Sequence, residues 1–132
     1  MYLVEQENPQ KVVKHFGVLD IGNVLSLAEA EPWRPVVVDQ APPQLRSQWL
    51  DESRANWKII GKIVDEVGAR ARLREAECNP LYDLFGNNCE HFANFMANGQ
   101  RSSPQLFAGL MLVAAAIGVY ALAKQRTLPL AR

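Results

Sequence analysis

Residues 106–123, LFAGLMLVAAAIGVYALA, carry no charged side chain. As an α-helix such a run is about 27 Å long, enough for a hydrocarbon core of about 30 Å. Ser102, Ser103 and Pro104 lead into it, Lys124 and Arg126 close it, and Tyr120 suits an interface. The other reading is a buried core helix. A chain of 132 residues has little protein with which to surround a helix that is apolar on every side. The run is therefore expected to span a membrane. Residues 1–100 are then a single small domain, 101–105 a linker and 124–132 a short tail.

Composition narrows the chemistry of that domain. With 14 basic and 14 acidic side chains the net charge is zero, and no basic run with interleaved aromatics appears. A nucleic-acid partner is not expected. Two cysteines are too few for a disulfide scaffold. Cys89 and His91 lie close together, but no second Cys/His cluster has zinc spacing, so neither a metal nor a cofactor is expected. The start, MYLVEQENPQKVVKHFG, lacks an apolar stretch behind a basic flank, so no secretory signal is expected. The domain is accordingly placed on the cytosolic side of a single span. Lys124, Arg126 and Arg132 beyond the helix, against Arg101 before it, argue the other way, but so short a tail can cross with the helix.

The stretch FGNNCEHFANFM, residues 85–96, concentrates the reactive side chains. Asn87 or Asn88 is a good helix N-cap and Gly99 a good residue to follow the helix. Between them Cys89, Phe92, Ala93 and Met96 share one helical face. Cys89 then lies in the first turn, where free N–H groups and the helix dipole favour a thiolate. His91 is about 200° round the helix from it, so a base must come from elsewhere. His15 opens HFGVLDIGNVLSLAEA, which reads as a hairpin: Phe16, Val18 and Leu19 run up, 20–23 turn, and Val24, Leu25 and Leu27 run back. The run 36–38 in EPWRPVVVDQAPP reads as a strand between loops. SRANWKIIGKIVDEVGARARLREAE, from Ser53, reads as a packing helix carrying Trp57, Ile60, Ile63, Val64 and Val67, with Arg70, Arg72 and Arg74 on a solvated face. The fold class expected is α+β, a small antiparallel sheet packed on the Cys89 helix, plus one C-terminal membrane helix.

The segments His15-Phe16-Gly17-Val18 and Asn88-Cys89-Glu90-His91-Phe92 together resemble the lecithin:retinol acyltransferase-like family. That family includes the small phospholipase A/acyltransferases and is a permuted branch of the papain-like NlpC/P60 fold. The likeness is close over residues 79–100, where YDLFGNNCEHFANFMANG also matches, and looser over 11–28. The hydrophobic C-terminal helix fits as well. The resemblance implies that Cys89 is a thiol nucleophile acting on lipid acyl esters at a bilayer, with His15 as its base. It also implies that the Cys89 N–H forms part of an oxyanion site. The family's third polar residue, usually a second histidine, is Ser26 here. If Leu19 faces Val24 across the hairpin, Gly17 faces Ser26, and the serine reaches the imidazole diagonally. Ser26 then either orients His15 weakly or marks a degenerate site.

Other residues carry further expectations. Asn88 caps or supports the site. Tyr82 packs in the core or lends its hydroxyl. Glu90 is a solvated first-turn residue, His91 is structural, and Cys78 is a reduced structural thiol. Trp33 and Trp49 pack in the core or meet a membrane interface. Two further readings stay open: a cysteine peptidase or amidase, and an inactive membrane-anchored interaction module.

Overall fold

A computed structural model describes residues 1–7, 13–27 and 31–126, with side chains as far as residue 124. Its strands are β1 (Tyr2–Glu7), β2 (Phe16–Asp20), β3 (Val36–Ala41), β4 (Gln44–Trp49) and β5 (Asn56–Lys62). Its helices are α1 (Glu66–Cys78), α2 (Cys89–Asn98) and α3 (Pro104–Arg126). The strands form one antiparallel sheet in the order β4-β3-β2-β1-β5. The α+β class and the small antiparallel sheet are as the sequence implies.

Alternation along the strands sorts the core. Val18, Val36 and Val38 join Phe92 and Met96 of α2, Leu73 of α1 and Ile63 in the main cluster. Val4, Leu19 and Val37 form a smaller cluster with Tyr2, Leu50 and Trp57 packed against it. β3 is buried along its whole length, which its run of three valines suits.

Two expectations are corrected. The hairpin after His15 does not form. β2 pairs with β1 on one side and β3 on the other, so no edge is left for residues 24–27. The buried Asp20 carboxylate accepts the N–H groups of Val24 and Leu25 at 3.0 and 2.8 Å and turns the chain. Leu25 then joins the main cluster, and Arg70 of α1 donates to the Val24 carbonyl. The second correction concerns the stretch from Ser53. Residues 56–62 are edge strand β5, paired with β1, and the helix begins only at Glu66. Trp57, Ile59 and Ile60 favour a strand, Gly61 disfavours a helix, and β1 offers an open edge. Val64 and Val67 are exposed rather than packed. Arg72 is not on a solvated face: it donates to the Met96 carbonyl at 2.8 Å and ties α1 to α2.

α3 follows a serine–proline start. Ser103 accepts the Phe107 N–H at its carbonyl, and Pro104 opens the helix, where its missing N–H costs nothing. Pro104–Lys124 has a mean hydropathy of 2.3 and is long and apolar enough to cross a membrane; none of it is buried against the rest of the chain.

Candidate active site

α2 starts where the asparagines imply. Asn88 is its N-cap, and its Oδ1 accepts the N–H groups of Glu90 and His91, both at 3.0 Å. Gly99 ends it in the left-handed conformation, φ 79°, with its N–H on the Phe95 carbonyl. Cys89 is therefore the first helical residue. Its side chain is half-buried, and its Sγ lies 3.9 Å from the carbonyl oxygen of Lys14. Two of the first-turn N–H groups are taken by Asn88. The Cys89 N–H sits at the same positive end and has no intrahelical acceptor, because the first turn of any helix lacks them.

His15 immediately precedes β2, next to Lys14, and there it meets Cys89. Its Nε2 lies 2.5 Å from Oδ2 of Asp39, a carboxylate with no solvent exposure. Asp39 faces Gly17 across the β2–β3 ladder, so it is the diagonal neighbour of His15. Arg46, opposite Asp39 on β4, holds the same carboxylate with two bonds of 2.8 Å. With Nε2 on Asp39, Nδ1 is the nitrogen left for the thiol. Burial opposes the charge on the imidazolium, but hydrogen bonds to Asp39 and Cys89 outweigh it and raise the pKa to about 9. Burial likewise opposes ionisation of Asp39, and the bonds from His15 and Arg46 overcome it and hold the carboxyl below its usual range. The Trp57 ring packs on the imidazole with centroids 5.7 Å apart. Gly17 makes that layer possible: a Cβ there would stand 3.0 Å from the Val38 carbonyl oxygen and 3.4 Å from the Trp57 ring.

Ser26 is not at the orienting position. It is exposed, lies in a turn with φ 58°, and donates its N–H to the Asn23 carbonyl. The diagonal position beside His15 lies on β3 instead, and Asp39 occupies it. Asp39 and Arg46 escape the sequence reading, and Trp57 enters it only as a packing residue of a helix. The available signal was an acid directly after three buried valines, since buried carboxylates are almost always paired.

The other expected residues divide. Asn88 is the cap, and its Nδ2 also donates to the Leu84 carbonyl at 2.8 Å, fixing the preceding loop. Tyr82 is half-buried beside the thiol; burial, with Cys89 and Asp83 next, raises its phenol pKa. Glu90 is not solvated. It is buried and accepts the Ser103 hydroxyl at 2.5 Å and the Gln105 N–H at 3.0 Å, so its charge serves the N-terminus of α3. His91 is buried away from the thiol with Nδ1 unpartnered among the described residues, and burial lowers its pKa. Cys78 is exposed rather than packed. Trp33 is also exposed, while Trp49 packs on the core under the Arg34 guanidinium. Among the described residues no group of three or more His, Cys, Asp or Glu is placed to hold a metal ion.

A groove of about 320 Å³ opens beside Cys89. Val13, Tyr82 and Leu84 line one side of it and Leu106, Leu110 and Val113 of α3 the other. Its walls are mostly apolar, and Cys89 lines it together with Lys14, Asn88, Glu90, Ser103 and Gln105. No family model, no curated protein and no solved structure matches this chain.

Proposed function

We infer that this protein is a membrane-anchored, cysteine-dependent acyltransferase or phospholipase of the lecithin:retinol acyltransferase-like kind. One observation carries the reading: a first-turn cysteine that lines a largely apolar groove meets a carboxylate-bound histidine. His15 is protonated at neutral pH, and in the proposed reaction Cys89 enters as the thiolate beside it. The Cys89 Sγ attacks the ester carbonyl carbon, and the oxyanion forms at the helix start, beside the Cys89 N–H. The C–O bond breaks, and the imidazolium gives its proton to the departing alcohol. Water or an amine then attacks the thioester carbonyl carbon, His15 takes the proton from the attacking group, and the C–S bond breaks to release the acid or amide and return Cys89 as the thiolate. Asp39 holds the ring so that Nδ1 stays on the thiol side. The permuted papain-like relationship and a cytosolic placement of the catalytic groups belong to the same proposal. An apolar groove favours an acyl chain over a peptide.

The test is product analysis after incubation of the full chain with mixed phospholipids. Free fatty acid or N-acyl product is expected, with an acyl adduct on Cys89. Cys89→Ala is expected to remove turnover and leave the fold intact. Turnover that persists when Cys89 and Cys78 are both replaced would defeat the assignment.

A further inference from the structure

We propose that the first turns of α3 form one wall of an acyl-chain channel, so that a membrane lipid's chain lies along this helix with its ester at Cys89. The proposal rests on the acyl-transfer reading and adds where the chain runs and what limits its length.

The wall is one helical face. Leu106, Gly109, Leu110 and Val113 line the groove at spacings of three, four and seven residues. They cover about 10 Å of helix axis. No charge lies on this face, whereas the rest of the lining beside Cys89 includes Lys14, Asn88, Glu90, Ser103 and Gln105. An ester with an apolar tail matches that polarity.

The wall is also fixed to the reacting groups. The Gln105 side chain accepts the Lys14 N–H at 3.0 Å and donates to the Lys14 carbonyl at 3.4 Å. Glu90 receives Ser103 and the Gln105 N–H. The start of α3 is thus bonded to the residue before His15 and to the residue after Cys89. When Pro104–Lys124 spans a bilayer, these bonds hold the thiol near the membrane surface and open the groove toward hydrocarbon. The occupant that this continuity selects is an acyl chain entering from the same bilayer.

Gly109 sets the room. A Cβ placed on it meets nothing within 4 Å, so a larger side chain projects into the groove without disturbing the fold. Gly118 is equally open, but it lies on the opposite side of α3, nine residues on at about 100° each.

The experiment uses the full chain in dioleoyl phosphatidylcholine vesicles and p-nitrophenyl esters from butyrate to palmitate. Gly109→Leu is expected to lower the ratio of palmitate to butyrate turnover at least tenfold while iodoacetamide labelling of Cys89 shows the thiol still reactive. Gly118→Leu is expected to match the parent throughout. Leu110→Trp, a second obstruction of the same face, is expected to repeat the loss for long chains. If Gly109→Leu and Leu110→Trp keep the parent's chain-length profile, the channel is refuted and acyl transfer stands. If the parent protein forms no acyl adduct with any ester while iodoacetamide still labels Cys89, acyl transfer itself fails.

Discussion

At the residue scale the site turns on Asp39. Its charge keeps the proton on His15 and its bond fixes the ring. Asp39→Asn is expected to return the His15 pKa toward its ordinary value and to slow alkylation of Cys89 at pH 7 about tenfold, roughly 1.4 kcal/mol of barrier. Ser26→Ala and Ser26→His are expected to leave the pH–rate profile of iodoacetamide labelling unchanged, because Ser26 is exposed in a turn off the sheet. An unaltered profile in Asp39→Asn, or one abolished in Ser26→Ala, would reverse the assignment. The same proton carries a stability signature. His15 binds it more tightly in the folded chain, with a pKa of about 9 against 6.5. The resulting stabilisation is complete below pH 6.5 and is lost as pH rises through about 9, by at most about 3 kcal/mol. Urea titrations between pH 6 and 10 are expected to show this loss in the parent and not in His15→Gln. Parallel curves for the two proteins would exclude it.

At the element scale, β2 is the spine of the site. It borders β3, which supplies Asp39, and His15 at its entry meets the start of α2, which supplies Cys89. The close layer at Gly17 makes this strand intolerant of a side chain. Gly17→Ala places a Cβ at 3.0 Å from a backbone oxygen that cannot move freely. The expected cost is about 1–3 kcal/mol, together with slower labelling of Cys89 as Asp39 and Trp57 are pushed aside. A midpoint of denaturation within error of the parent would show that β2 and β3 separate more easily than their register implies. α2 was legible in advance because both of its signals, Asn88 and Gly99, act through the backbone next to them. β5 reads as helix in the sequence because Trp57, Ile60 and Ile63 also fit a helical spacing, and only the open edge of β1 chooses between the two periods.

At the scale of the whole molecule, the start of α3 is bonded to the neighbours of Cys89 and His15 without a free linker. Residues 101–105 were expected to be a spacer, yet Ser103 and Gln105 are bonded to Glu90 and Lys14. Deleting residues 106–132 is expected to release the remainder into the soluble fraction and to lower activity on vesicles more than on a dispersed butyrate ester. Sedimentation of the truncated and full chains alike with membranes would place the anchor elsewhere. Because α3 also lines the groove, truncation is further expected to lower turnover of a palmitate ester more than of a butyrate ester, which loss of a simple tether would not do.

The sequence by itself determined what depends on neighbours along the chain. The Cys89 helix with its cap and stop, the buried run of β3 and the uncharged helix at the end are all written in local spacing, composition and capping chemistry. Tertiary structure alone decided which strand lies beside His15. That choice depends on which edges β1 and β3 fill, and no local pattern records it. It put Asp39 rather than Ser26 against the imidazole, because a buried carboxylate gains most where it meets two cationic partners at once, and only the assembled sheet brings His15 and Arg46 to the same side chain.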